Sequence, residues 1–107
     1  MTRSASRQPL DPDAALQRLR ALSPETRDAV VLDARGARLA GSAELCGPAA
    51  ELLEAVAAPA VEVMTERGGV FAARSERHAL VAVTTRQALG SVLLYDLRRV
   101  LADLEGA

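Results

Sequence analysis

Residues 29–42 read Ala29-Val30-Val31-Leu32-Asp33-Ala34-Arg35-Gly36-Ala37-Arg38-Leu39-Ala40-Gly41-Ser42. An unbroken apolar run, a turn over Asp33 to Gly36, and a second strand over Ala37 to Ser42 make this a β-hairpin. The first arm has no polar face, so it belongs to a strand covered on both sides. A sheet covered on both sides needs helices above and below it, and the flanking sequence supplies them.

Upstream, Asp11-Pro12-Asp13 opens a helix, with Asp11 as cap, Pro12 in the first turn and Asp13 facing the positive end of the dipole. Ala15, Leu19 and Leu22 follow at helical spacing, Leu16 flanks them, and Ser23-Pro24 closes the helix. Residues 1–10 carry no apolar periodicity and read as a flexible tail, leaving 11–107 as a single domain. Downstream, Gly47-Pro48 starts a helix expected over 48–58. Ala49, Leu52, Leu53 and Val56 form its stripe, Ala50 and Ala57 widen it, and Pro59 ends it.

Val61-Glu62-Val63-Met64-Thr65 alternates, as a strand with one buried face does. Arg67-Gly68-Gly69 turns it into Val70 to Arg74, and Ser75 to His78 turns that strand into the all-apolar Ala79-Leu80-Val81-Ala82-Val83. Thr84 or Thr85 is expected to cap a last helix reaching Leu104, with Leu89, Leu93, Leu97, Val100, Leu101 and Leu104 as its core stripe. The order α-β-β-α-β-β-β-α is an α+β sandwich. It has a five-stranded, mainly antiparallel sheet with helices on both faces, and the apolar strands 29–32 and 79–83 at its centre.

Composition narrows the function. The chain has 107 residues, half of them hydrophobic and a quarter charged, with a net charge of −1. That is a globular profile rather than a disordered or collagen-like one. The longest apolar runs, about five residues, fall far short of the roughly 20 that cross a bilayer, and Thr2 to Gln8 is too polar for a secretory leader. Every basic residue is arginine, so there is no lysine for a Schiff base or for a phosphate loop of the Walker type. One histidine and one cysteine cannot build a structural zinc site or an internal disulfide, and no cofactor or metal site is expected. A single thiol without an export signal fits the cytoplasm.

Candidate sites are few. Ser42 and His78 lack the spacing of a hydrolase, and His78 is expected to sit exposed in a polar turn. Cys46, near a helix start, has no resolving partner and reads as a small packed side chain. Gly68-Gly69 joins two strands and is not a phosphate loop. The arginines are scattered among slightly more acids, with two aromatics to stack bases, so nucleic acid is not an expected partner. Asp96 and Asp103, three and four positions from Arg99, are expected to neutralise it.

The informative feature is surplus apolar surface. The wide stripe of small residues on helix 48–58 adjoins strand 61–65, an edge strand with no interior lysine or proline to blunt it. Together they point to a two-fold contact through Ala49, Ala50, Leu53, Ala57, Val61, Glu62, Val63 and Met64. On the last helix Val92, Tyr95, Arg98 and Arg99 fall outside the core stripe and are candidates for contacting a partner.

In the same order, Ala29 to Gly36, Leu39-Ala40-Gly41-Ser42, Val61-Glu62-Val63, Gly69-Val70, Leu80 to Val83, Leu89-Gly90 and Leu97-Arg98-Arg99 resemble the roadblock / dynein light chain 7 family over about residues 13–104. The resemblance implies a profilin-like sandwich that dimerises through its middle helix and third strand. It also implies a non-catalytic scaffold or regulator, often of Ras-like small GTPases and sometimes stimulating their GTP hydrolysis. The partners it implies are a second copy or a paralogue, and a Ras-like GTPase. The alternative is a small-molecule-sensing domain of the PAS/GAF type, which needs a cavity between sheet and helix.

Overall fold

The computed structural model describes residues 9–85 and 89–106. Its elements are α1 (Pro12–Leu22), β1 (Thr26–Asp33), β2 (Arg38–Gly41), α2 (Cys46–Ala55), β3 (Ala60–Thr65), β4 (Gly68–Arg74), β5 (His78–Thr84) and α3 (Gly90–Leu104). The strands form one antiparallel sheet in the order β2-β1-β5-β4-β3. The two apolar runs lie inside it as expected, with β5 in the middle and β1 beside it.

Strand periodicity divides the interior into two layers. Ala29, Val31, Phe71, Ala73, Leu80 and Ala82 face α1 and α3, where they meet Ala15, Leu16, Leu19, Leu93, Leu97, Val100, Leu101 and Leu104. Val30, Leu32, Ala72, Ala79 and Val81 face the other way, toward Ala49 of α2 and its neighbours Leu45, Leu52 and Leu53. The first layer is the larger. Of the residues of α2 only Ala49 is fully buried, against six on α3.

Several expected boundaries move, each for a local reason. The helix expected over 48–58 runs from Cys46 to Ala55, and Val56 is already extended. Pro59, without an N–H, bars another full turn, and the Arg74 guanidinium holds the helix end instead: it donates to the carbonyls of Leu53 (2.6 Å), Val56 (2.5 Å) and Ala58 (3.2 Å), of which Leu53's is one that a further turn would have used. The last helix begins at Gly90; of its two expected caps Thr84 stays in β5, paired with Thr26 and fully buried, and Thr85 follows it, donating its N–H to the Glu25 carbonyl. Residues 86–88 lie outside the described residues. Leu89, expected in the core stripe, is exposed. The tail expected over 1–10 falls mostly outside the described residues, while Leu10 packs against the α1/α3 layer and donates its N–H to the carbonyl of Asp103.

Two turns show how sequence fixes the hairpins. In β1–β2 the Asp33 carboxylate accepts the N–H groups of Arg35 (2.8 Å) and Ala37 (2.9 Å), and Gly36 takes the positive φ of 86° that closes the turn. Those two donors, Ala37 first, hold the Asp33 carboxyl below its ordinary range. At Gly68 φ is 146°, and a Cβ there would stand 2.0 Å from the Thr84 carbonyl oxygen, so only glycine fits.

Candidate interaction surfaces

The two edges of the sheet are unlike. β2 has four residues, carries Arg38, and its pairing with β1 is interrupted by a register shift at Val31/Leu32. Shortness, charge and irregularity are the devices that blunt an edge. β3 is longer and regular: six residues, with Glu62 as their one charge, pair in unbroken register with β4, from Ala60↔Ala73 to Thr65↔Gly68, and no described strand pairs with its other side.

Beside that open edge α2 leaves the sheet incompletely covered. Leu45, Pro48, Ala49, Leu52, Val63, Val70 and Val81 line an open groove of about 180 Å³ with carbon-rich walls. Val63 is exposed at its rim, and Met64 is exposed on the opposite face of β3.

The residues expected at a two-fold contact therefore divide into groups. Ala49 and Val61 already belong to the chain's own core. Ala50 and Leu53 are half-buried on α2, and Ala57 is exposed in the extended segment beyond it. Val63 faces the α2 groove. Glu62 reaches to the opposite layer: a Cβ built on Gly90 would stand 2.5 Å from its carboxylate, which lies over the first turn of α3. That turn contains no acidic residue of its own, so Glu62 brings negative charge to the positive end of the α3 dipole.

On α3, Val92, Tyr95, Arg98 and Arg99 are exposed. The surroundings of Arg99 differ from those read in the sequence. Asp96 is buried and accepts a 2.8 Å hydrogen bond from the Ser23 hydroxyl, and Asp103 lies 3.1 Å from Arg18. The Arg99 guanidinium instead stands over the Tyr95 ring, 5.9 Å from its centre.

His78 is also placed differently from expectation. It is half-buried at the start of β5, with Nδ1 2.9 Å from Glu105, whose carboxylate also accepts the Ser75 hydroxyl. Burial pushes the Glu105 carboxyl up, but Ser75, His78 and Arg77 more than offset that and leave it below its ordinary value. Ser42 lies elsewhere. Its N–H bonds to the Ala29 carbonyl, whereas His78 pairs with Asp33, four residues or about 13 Å along β1. The two do not form a catalytic pair. Cys46 stands at the start of α2, half-buried, with Sγ 3.7 Å from the Ser42 carbonyl.

Among the described residues no helix is long and apolar enough to cross a membrane, and no group of three metal-ligating side chains converges.

This arrangement, three helices sandwiching one five-stranded antiparallel sheet, recurs in solved structures. A roadblock/LC7 domain from Streptomyces avermitilis superposes with a TM-score of 0.71 at 20% identity, covering 83% of this chain and 93% of that one. The fold is roadblock/profilin-like. An MglB in a tetrameric arrangement matches this roadblock-like chain with a TM-score of 0.65 at 18% identity, over 97% of this chain and 94% of its own. Profilin IB of Acanthamoeba castellanii matches with 0.64 at 14%, over 91% and 98%. No protein-family model matches the sequence, and no curated protein does.

Arg74, Leu22 and the contact of Glu62 with Gly90 escaped the sequence reading. Arg74 gives no signal as the last residue of a strand, since its acceptors lie 16 to 21 residues away. The exposure of Leu22 follows from where α1 ends relative to α3, which periodicity alone does not encode.

Proposed function

We propose that the chain is a non-catalytic homodimeric adaptor of the cytoplasm that binds a Ras-like small GTPase. The observation that carries this reading is the β3 edge: regular in register, unpaired on its outer side among the described strands, exposing Val63 and Met64, and adjoining through Val63 the apolar groove beside α2. A second copy docked there by two-fold symmetry pairs edge with edge and covers groove with groove, using the same patch twice. Ala50, Leu53, Ala57, Val63 and Met64 form the seam. Val61 and Ala49 support it from beneath, and Glu62 faces the α3 side. The GTPase follows from the family resemblance, and Val92, Tyr95, Arg98 and Arg99 offer it a surface away from the seam.

A sensing domain calls for a pocket in which several polar groups converge on a ligand. The groove beside α2 is walled by aliphatic carbon, which suits packing against another apolar face.

The test has two steps. Sedimentation equilibrium of the purified chain is expected to give twice the monomer mass at micromolar concentration. Titration calorimetry against the Ras-like GTPase encoded nearest to it, loaded with GDP or a non-hydrolysable GTP analogue, is expected to show binding in at least one nucleotide state. A monomer at millimolar concentration refutes the dimer, and absence of any complex refutes the GTPase assignment.

A further inference from the structure

α2 covers only part of the sheet face on its side. Residues paired across neighbouring strands share a face, so Val61, Ala72, Val81 and Val30 form one row across β3, β4, β5 and β1. That row is buried with Ala49 of α2. The next row toward the β3–β4 turn is Val63, Val70, Val83 and Asp28, and none of its members is fully buried. Val70 and Val83 floor an open cleft of about 380 Å³ at that end of the sheet.

Two local irregularities bring arginines to this cleft. The ladder between β1 and β5 shifts register between Thr26 and Asp28, which makes Arg27 an extra residue of the kind that re-aims a side chain. Arg67 lies in the β3–β4 turn, its N–H held by the Thr65 hydroxyl at 3.2 Å and the turn closed by the positive φ of Gly68. Both arginines are exposed and both line the cleft.

The other polar side chains of the lining are already engaged. The Thr65 hydroxyl donates to the Gly68 carbonyl (2.8 Å), and Thr84 is buried. Asp28, the one acid among the lining residues, accepts the N–H of Ala29 (3.0 Å). Neither the Arg27 nor the Arg67 guanidinium has a hydrogen bond or an ion pair among the described residues. A guanidinium donates and cannot accept. What the cleft offers a ligand is therefore two sets of cationic donors beside an aliphatic floor.

We infer that this cleft docks an acidic segment of a partner protein, with an aliphatic side chain resting on Val70 and Val83 and its neighbouring carboxylates meeting Arg27 and Arg67. The site goes beyond the adaptor reading, because Arg27, Arg67 and Val83 belong neither to the proposed seam nor to the α3 surface offered to a GTPase. Carboxylates match the guanidinium fork with two parallel hydrogen bonds. Inorganic phosphate would satisfy the arginines and leave the valines in water, whereas an aliphatic residue flanked by acids uses both. A nucleic acid calls for a longer basic track than two arginines on a chain of net charge −1.

Peptides selected from a phage-displayed random library on the full-length chain test this, with the double variant Arg27→Glu, Arg67→Glu as counter-selection. The expected winners combine aspartate or glutamate with leucine, isoleucine or valine. Their affinity is expected to fall about tenfold or more in the double variant, where two attractions become repulsions. Changing the peptide's acids to lysine should restore binding to the double variant, and changing its aliphatic residue to serine should weaken binding to the wild type. Arg67→Gln, which removes one charge without reversing it, should give an intermediate loss and keeps the test open if the double variant folds poorly. Circular dichroism and dimer mass should match the wild type in both; a lost dimer would place the arginines in the seam and overturn the inference. An empty selection, winners without acids, or winners insensitive to the double variant also overturn it. So does displacement by inorganic phosphate or an oligonucleotide while the serine-substituted peptide binds as tightly as its parent, which would assign the cleft to a free anion or a nucleic acid. The selected peptide should bind whether or not a GTPase does, so failure here and failure of the adaptor reading are read separately.

Discussion

Replacing Val63 with arginine probes the proposed seam at a point where the folded protomer has little to lose. Val63 leaves 38% of its surface exposed in the single chain, so an arginine there can extend into water without disturbing the core. Full burial of an aliphatic side chain contributes about 1.5–3 kcal/mol. Covering that exposed fraction is then worth about 0.6–1.1 kcal/mol per copy, or about 1–2 kcal/mol per dimer, since a two-fold contact uses the residue twice. The guanidinium adds a larger penalty, because an uncompensated charge held at a closed seam costs about 3–5 kcal/mol. The sum, at least about 4 kcal/mol, weakens self-association roughly a thousandfold.

Sedimentation equilibrium across a concentration series reads this as a shift of the dimer dissociation constant from micromolar to millimolar. Thermal unfolding at low protein concentration, where both proteins are monomers, controls for folding and should change little. A Val63→Arg protein that dimerises with unchanged affinity refutes the placement of the seam. A Val63→Arg protein that fails to fold as a monomer refutes the claim that β3 is an open edge.

Arg74→Ala removes three hydrogen bonds from a charged donor to carbonyls in the last turn of α2 and just beyond it; a loss of about 2–3 kcal/mol is expected, lowering Tm by about 10–20 °C in differential scanning calorimetry. Ser23→Ala leaves the buried Asp96 carboxylate without its hydroxyl partner and should cost about 1–3 kcal/mol in urea denaturation, with an unchanged m-value. Glu105 is held below its ordinary value of 4.5 in the folded chain, so it adds stability above that value that is lost as pH falls through the folded one; Glu105→Gln should flatten the acid side of the stability–pH curve below about pH 5.

How far the sequence specifies this architecture varies by element. β1 and β5 were legible because a strand buried on both faces has one pattern, an uninterrupted apolar run, and the turn chemistry of Asp33 and Gly36 left one way to close the first hairpin. The ends of α2 and α3 were not legible, because residues distant in the chain decide them. Ala57 and Ala58 favour helix on their own, yet Arg74 takes the Leu53 carbonyl that the Ala57 N–H would need and binds those of Val56 and Ala58 in the extended segment. Thr84 is a good cap by type, yet its side chain is buried in the sheet opposite Thr26. The sequence marked Val63 and Met64 as an unprotected edge, but it could not separate them from Ala49 and Val61, whose apolar character the core already uses. Leu22 and Leu89 looked like core residues for the same reason: periodicity tells which side of a helix is apolar and not where its partner ends.

The alternation of β3 has a consequence for how the two surfaces relate. Val61 and Val63 face the α2 layer, while Glu62 and Met64 face the α3 layer, with Met64 against Gly69 and Glu62 over Gly90. A strand added to β3 by a second copy therefore touches both layers at once. On one side it closes the apolar groove. On the other it orders the backbone that holds the Glu62 carboxylate at the start of α3, one turn from Val92. Glu62→Ala should thus leave the dimer mass intact, because no apolar surface of the seam is lost, while removing charge from the positive end of the α3 dipole. An effect of about 0.3–1 kcal/mol on stability is expected, diminishing in high salt. A dimer that dissociates in Glu62→Ala would instead place that carboxylate in the seam and reverse the assignment of the two faces.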